Sequence, residues 1–345
     1  MTFKDGSHTR SRHKLLRTGV LLSAAICWQA GRAEAPPTIL TIDFENWVSY
    51  VEDSFDVTRR AVNPGVTPPT ASRNFNFSVS IADIVAVNGQ TAKGVIASTS
   101  RTVRLLTVPN AGAAIADTAR GSIVVYGYEI LKSDGTPIGS IMASGLGGGP
   151  PPPGAPSPVT NGNFAITGGT GAFLGARGQA GLAYSPVTPD VRSASMTEDP
   201  GNRRSNGGGK QRYVLYLIPD SRPEIVLTPN GPAVAHASDF ALVTAAKPAA
   251  PGEILSLFAT GLGPTRPPLD PGRPFPAAPP AVVNSPVEVT ANGRPTEVLA
   301  AVGLPGAVDN YQINFRLPAD TASGVATIQV SAAWIAGPEV RISVQ

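Results

Sequence analysis

Residues capable of nucleophilic or metal chemistry are scarce in this sequence of 345 residues. The single cysteine, Cys27, and two of the three histidines fall within the first 35 residues. The third histidine, His236, lies among small residues in "GPAVAHASDF", where we expect a surface side chain. Beyond residue 35, the chain can form no disulfide, cysteine-based zinc site or cysteine nucleophile, and a Ser-His-Asp triad would have to use His236. We predict no metal site and no cofactor.

The glycine-rich stretch "ITGGTGAFLGARG" (166–178) raises the question of phosphate binding. In a dinucleotide loop the third glycine of G-x-G-x-x-G would stand at position 174, which is Leu174. The following residues, 175–185, contain three glycines and make a poor helix, although the pyrophosphate needs a helix N-terminus. No Gly-Lys-Ser/Thr sequence follows. The stretch therefore predicts a tight turn that feeds a bent strand, shaped by Gly168, Gly169, Thr170 and Gly171.

The first 35 residues have the layout of a secretory signal peptide. A basic lead precedes an apolar run over 19–28, and 33–35 read Ala-Glu-Ala. This apolar run is about half as long as the roughly 20 residues that a membrane-spanning helix needs. We expect the segment to be cleaved off and the mature chain to have no membrane span. The segment holds six of the 27 basic and two of the 24 acidic residues, which leaves a net charge of −1. We therefore expect an extracellular or periplasmic protein that does not bind nucleic acid.

Strand-like runs separated by turn signals predict an all-β protein. Asn88-Gly89, Asp134-Gly135 and Asn292-Gly293 each separate two such runs and suit two-residue hairpin turns. The composition changes near 219–232, where "KQRYVLYLIP" ends and a new set of strands begins. We place one domain at 36–223 and a second at 228–345.

The stretch "FAITGGTGAFLGARG" resembles the signature of the dirigent and allene oxide cyclase-like barrels. The resemblance implies an eight-stranded antiparallel barrel with a hydrophobic cavity over 36–223. It makes Arg177, from the Ala-Arg-Gly of the signature, the first candidate for a polar group at that cavity, with Asp43 as a candidate on the first strand. The acid that some dirigent proteins carry after Gly-Gly-Thr-Gly is replaced by Ala172. Tyr126, Tyr128 and Glu129, on a strong strand, are further cavity candidates.

Residues 228–345 resemble the immunoglobulin-like C-terminal domain of many secreted Acidobacteria proteins. "ATGLGP" and "YQINFRLP" carry this resemblance. It implies a β-sandwich that serves as an accessory to varied partner domains. Alternating strands such as "VEVTA" and "ATIQVSA" fit a sandwich that buries one face of each sheet.

Three functions remain open from the sequence. The first is a secreted binding protein whose barrel holds a small hydrophobic molecule, with the sandwich as an accessory or adhesive module. The second is an isomerase, cyclase or dirigent-like template in which Arg177 and Asp43 orient a small apolar substrate. The third is a structural or adhesion protein with a filled barrel. Association of the barrels into a homo-oligomer is a further expectation from the resemblance.

Overall fold

The computed structural model describes residues 37–52, 74–104, 120–148, 164–183 and 191–345. The predicted signal peptide lies outside these residues. The described residues from Pro37 onward belong to one compact unit. No helix among them is long and apolar enough to cross a membrane.

The first half of the unit is a closed eight-stranded antiparallel barrel, as the sequence predicted. The strands follow the order β2-β3-β4-β5-β6-β7-β9-β1, and pairing of β1 with β2 closes the ring. A short ninth strand, β8, pairs in parallel with the end of β1. The bounds are β1 Thr38–Glu52, β2 Asn74–Val87, β3 Gln90–Arg104, β4 Arg120–Lys132, β5 Pro137–Gly148, β6 Phe164–Gly171, β7 Arg177–Leu182, β8 Arg192–Ser195 and β9 Gly209–Ile218, with a 3-10 turn at Pro200–Asn202.

The predicted hairpin at Asn88-Gly89 is confirmed. Asn88 and Gly89 join β2 to β3, and both have positive φ, as a type I′ turn requires. Asp134-Gly135 also lies in a hairpin, between β4 and β5, but four residues, 133–136, connect these strands and only Gly135 has a positive φ, so the predicted two-residue turn is wrong there. These turns define the lower end of the barrel. The upper end is the one at which β1, β3, β5 and β7 finish.

The glycine motif does not form the turn itself. Residues 168–171 continue strand β6, and the turn occupies 172–175. A Cβ at Gly169 would lie 2.2 Å from the Phe173 main-chain oxygen, and one at Gly171 would lie 2.5 Å from the Ile138 oxygen. These close approaches allow the turn to fold back under the barrel, where Phe173 is buried in its core.

An ionic cluster on the outer face of the barrel ties β2 to the segment that follows β8. Asn46 donates to Asp83 at 2.9 Å, and Arg204 donates to both carboxylate oxygens at 2.9 and 2.7 Å. Arg203 also pairs with Asp83. We call these four residues the Asp83 cluster. Burial pushes the pKa of Asp83 upward, but the hydrogen bonds and the arginine charges together hold it below its ordinary value.

The rest of the unit consists of short antiparallel strands in two main sheets. The larger sheet contains β10, β13, β14, β15, β16, β19 and β20, and the smaller contains β17, β18, β21, β22 and β23. The bounds are β10 Glu224–Ile225, β11 Leu227–Thr228, β12 Gly231–Pro232, β13 Val234–His236, β14 Ile254–Thr260, β15 Thr265–Arg266, β16 Val282–Val283, β17 Val287–Ala291, β18 Arg294–Pro295, β19 Glu297–Gly303, β20 Tyr311–Arg316, β21 Gly324–Ala332, β22 Ile335–Ala336 and β23 Val340–Val344. Asn292-Gly293 forms the predicted two-residue turn from β17 to β18, but the run "TEVLAAV" that follows forms β19 in the larger sheet and does not pair with β17.

Both sheets bury side chains in one hydrophobic core. Leu257 on β14 and Phe315 on β20 come from the larger sheet, and Val289 on β17 and Ile328 on β21 from the smaller. Each is fully buried. The alternation in "VEVTA" and "ATIQVSA" therefore buries one face of each strand, as the pattern indicated.

The turn between β21 and β22 packs against the barrel rather than against the C-terminal core. Ala333 and Ile335 are buried among the barrel residues. The Trp334 indole donates to the Gln90 side chain at 2.8 Å, beside the β2–β3 turn. Residues 333–335 thus cover the lower end of the barrel.

Candidate functional site

Six aromatic rings from four strands meet inside the barrel. Trp47 stacks on Tyr213 with ring centroids 5.7 Å apart and an interplanar angle of 4°. Tyr126 meets Phe164 edge-on at 4.7 Å and lies 6.0 Å from Tyr128. We call this the aromatic cluster: Phe44, Trp47, Tyr126, Tyr128, Phe164 and Tyr213. Strand alternation explains their common direction, since each lies at an inward position of its strand.

The cluster contains three buried hydroxyl groups, of which only two are paired. The hydroxyls of Tyr126 and Tyr213 are hydrogen-bonded at 3.1 Å. The hydroxyl of Tyr128 is buried and has no hydrogen-bond partner among the residues that the structure describes. Burial raises the pKa of Tyr126, and raises the pKa values of Tyr128 and Tyr213 well above that of a free tyrosine. All three are therefore neutral hydrogen-bonding groups at physiological pH.

Exposure differs between the two ends of the barrel interior. Toward the upper end, a small fraction of the side-chain surface is exposed to solvent: 8% for Tyr126, 6% for Tyr213 and 5% for Trp47. Toward the lower end, Ile130 and Leu217 have no exposed surface. The lower end is covered by Phe173 and by residues 333–335. Among the described residues, the aromatic cluster is therefore covered from the lower end and keeps its small exposure toward the upper end.

The predicted site residues divide between the two faces of the barrel wall. Tyr126 and Tyr128 lie together inside. Glu129 and Arg177 are exposed on the outer face, because each alternates with inward-facing neighbours. Asp43 also faces outward and forms an ion pair with Arg212, which lies directly opposite on β9 and donates to it at 3.0 Å.

Sequence reasoning missed four members of the cluster: Phe44, Trp47, Phe164 and Tyr213. Tyr213 heads an alternating series with Leu215 and Leu217, all buried inside the barrel. The alternation in "YVLYLI" carried this signal, but it does not tell which face is inward. Trp47 follows a bulge between Phe44 and Trp47 that breaks the alternation of β1.

The expectation for His236 is wrong. This histidine is buried on β13, with only 5% of its surface exposed. Its Nδ1 lies 2.6 Å from a carboxylate oxygen of Glu253, and its Nε2 lies 3.3 Å from the main-chain oxygen of Lys247. The side chain is thus fixed within the C-terminal sheets. In the described part of the chain, no group of three or more His, Cys, Asp or Glu is placed to hold a metal ion.

The fold and this interior define an all-β protein whose closed antiparallel barrel surrounds an aromatic cluster. Comparison with protein-family models, curated proteins and solved structures found no match for the chain. Its function is therefore argued from the barrel interior itself.

Proposed function

We propose that the barrel binds a small hydrophobic molecule carrying one polar group, which enters from the upper end and contacts the aromatic cluster. The observation that carries this proposal is the buried, unpartnered hydroxyl of Tyr128. Leaving such a group without a partner costs about 1–3 kcal/mol. A ligand atom that hydrogen-bonds to it recovers this free energy on binding.

The surroundings of Tyr128 favour an apolar and preferably aromatic ligand. Aromatic rings prefer offset or edge-to-face contacts with other rings, and the cluster already contains both. The Tyr126–Tyr213 hydroxyl pair adds a second polar position. An eight-stranded barrel has room either for its own side chains or for one small ligand, so binding requires the cluster to rearrange around its guest.

The same proposal includes the finer identity of the two halves. The closed barrel, with its glycine motif running along β6, supports an allene oxide cyclase-like or dirigent-like fold. The two sheets around one core support an immunoglobulin-like sandwich acting as an accessory or adhesive module. The layout of the first 35 residues supports secretion. No observation favours the isomerase alternative, because Arg177 and Asp43 both face outward.

One observation favours a second function, a structural or adhesive protein with a filled barrel. Many interior side chains, including Phe44 and Tyr128, are essentially fully buried by their neighbours. In that case the barrel is a rigid support for the C-terminal sheets and takes up no guest.

Fluorescence of Trp47 distinguishes the two. Replacing Trp28 and Trp334 by Phe leaves Trp47 as the only tryptophan of the full chain. Titration with N-phenyl-1-naphthylamine, an apolar fluorescent probe, should then quench Trp47 and saturate. Tyr128→Phe in this background should weaken binding of a probe carrying a phenol group by about tenfold, because one hydrogen bond is lost.

The matched control is Tyr216→Phe, on the outer face of the same strand as Tyr213, where the ring is 45% exposed. It should leave both titrations unchanged. Absence of saturable quenching with either probe would refute ligand binding and leave the filled barrel.

A further inference from the structure

A second cavity, separate from the barrel interior, lies outside the barrel wall at its lower end. It has a volume of about 470 Å³. One wall comes from the start of β5 and the end of β6, and the other from residues 263–275 of the C-terminal part. The volume falls within the range of small-molecule sites, roughly 300–1,000 Å³.

Asn284 supplies a buried polar group that lines this cavity. Only 9% of the residue is exposed. Its main-chain N–H donates to the Pro264 oxygen at 2.8 Å, but its side-chain amide has no hydrogen-bond partner among the described residues. Because the residue keeps this exposure, the amide is solvated in the unliganded protein, and its donors and its acceptor can exchange water for a ligand.

Three charged side chains complete the polar lining. Arg273 and Asp270 are exposed, and their side chains have no partner in the described part of the chain. Asp309 accepts a long hydrogen bond, 3.3 Å, from the main-chain N–H of Gly261 and also interacts with the side chain of Tyr311. The lining therefore combines a donor-only guanidinium, acceptor-only carboxylates and an amide that does both.

We propose that this cavity binds a neutral sugar. A hydroxyl group both donates and accepts, so a ligand with several adjacent hydroxyls can satisfy the guanidinium, the carboxylates and the Asn284 amide together. A charged ligand would meet charges of both signs in the lining. The rest of the lining also contains apolar residues, including Pro264, Leu269 and Phe275, which suit the C–H face of a sugar ring.

The test uses the full chain and a panel of glucose, galactose, mannose, N-acetylglucosamine, maltose and cellobiose. Saturation-transfer NMR at sugar concentrations up to about 10 mM detects affinities in the millimolar range. At least one sugar should bind, and Asn284→Ala should weaken its binding by about tenfold. Arg273→Ala, on the exposed side of the cavity, should have a similar effect and does not disturb buried packing.

Arg341→Ala is the matched control, since Arg341 is an exposed arginine on β23 away from the cavity. It should leave sugar binding unchanged. The proposal is overturned if no sugar of the panel binds, or if the bound sugar is insensitive to both cavity variants. Binding of a proline-rich peptide that depends on Asn284, without binding of any sugar, would also overturn it.

Discussion

Removing the hydroxyl of Tyr128 should make the unliganded protein more stable. The group is buried and has no partner in the described part of the chain, so it was taken from water without compensation. Tyr128→Phe keeps the ring and its contacts with Phe44 and Tyr126, 6.2 and 6.0 Å away between centroids, and deletes only this penalty. We expect the free energy of unfolding to rise by about 1–3 kcal/mol. Because burial raises the pKa of Tyr128 well above its ordinary value, the gain should not change with pH near neutrality.

The paired hydroxyls give the opposite result and serve as the internal comparison. Tyr126→Phe leaves the Tyr213 hydroxyl buried without its partner at 3.1 Å, and Tyr213→Phe does the same to Tyr126. Each single change should cost about 1–3 kcal/mol, whereas the double change should cost far less than the sum.

Urea unfolding, followed by circular dichroism, measures all four variants against the parent chain. The denaturant dependence must stay constant for the midpoints to report stability alone. A Tyr128→Phe variant less stable than the parent by about 1 kcal/mol or more would refute the reasoning, since it would show that the hydroxyl has a partner such as a bound water.

Two further perturbations probe the barrel wall. Gly171→Ala places a Cβ 2.5 Å from a main-chain oxygen at a φ of +62°, whereas Gly89→Ala has a φ of +76° but open space around the Cβ. In thermal unfolding, Gly171→Ala should therefore lower the free energy of unfolding by at least about 2 kcal/mol more than Gly89→Ala does. Equal losses of stability would contradict the close approach at Gly171. The Asp83 cluster should make stability fall in acid: because the folded pKa of Asp83 lies below its ordinary value of 3.8, the stability it contributes is complete at higher pH and is lost as the pH falls through the folded pKa. The melting temperatures of the parent and Asp83→Asn should therefore differ at pH 7 and converge once the pH falls below the folded pKa of Asp83. A difference that stays constant with pH would count against the ion pairs.

The sequence predicted the strands and hairpin turns because turn chemistry is local, whereas the eight-stranded barrel was implied by the resemblance of the glycine motif. Asn88-Gly89 fixes a two-residue hairpin whatever surrounds it. The outward position of Glu129 follows from the inward position of Tyr128, but the direction of Arg177 depends on which face of β7 is inward. The pairing of Asp43 with Arg212 depends on the register of β1 against β9, across most of the barrel sequence. Register and face are set by closure of the whole barrel, so a local pattern does not reveal them.

The position of the glycine motif illustrates the same limit. Glycines suggest a turn, yet Gly169 lies within β6. Its glycine is needed because the main chain at Phe173, in the turn that follows, packs directly against it. The need for glycine comes from a neighbour that the sequence does not identify. The burial of His236 was missed for a related reason, since its partner Glu253 is contributed by a separate stretch of chain.

The turn at 333–335 couples the two halves of the protein, because residues of the C-terminal half complete the core of the barrel. Ala333 and Trp334 adopt φ angles of +50° and +64°, which non-glycine residues reach at a cost, and packing on the barrel offsets it. A truncation after residue 223 would remove the residues that cover the barrel core. Unfolding of the C-terminal sheets would likewise expose the lower end of the barrel. A different C-terminal domain attached to this barrel would therefore have to supply its own residues to cover the lower end.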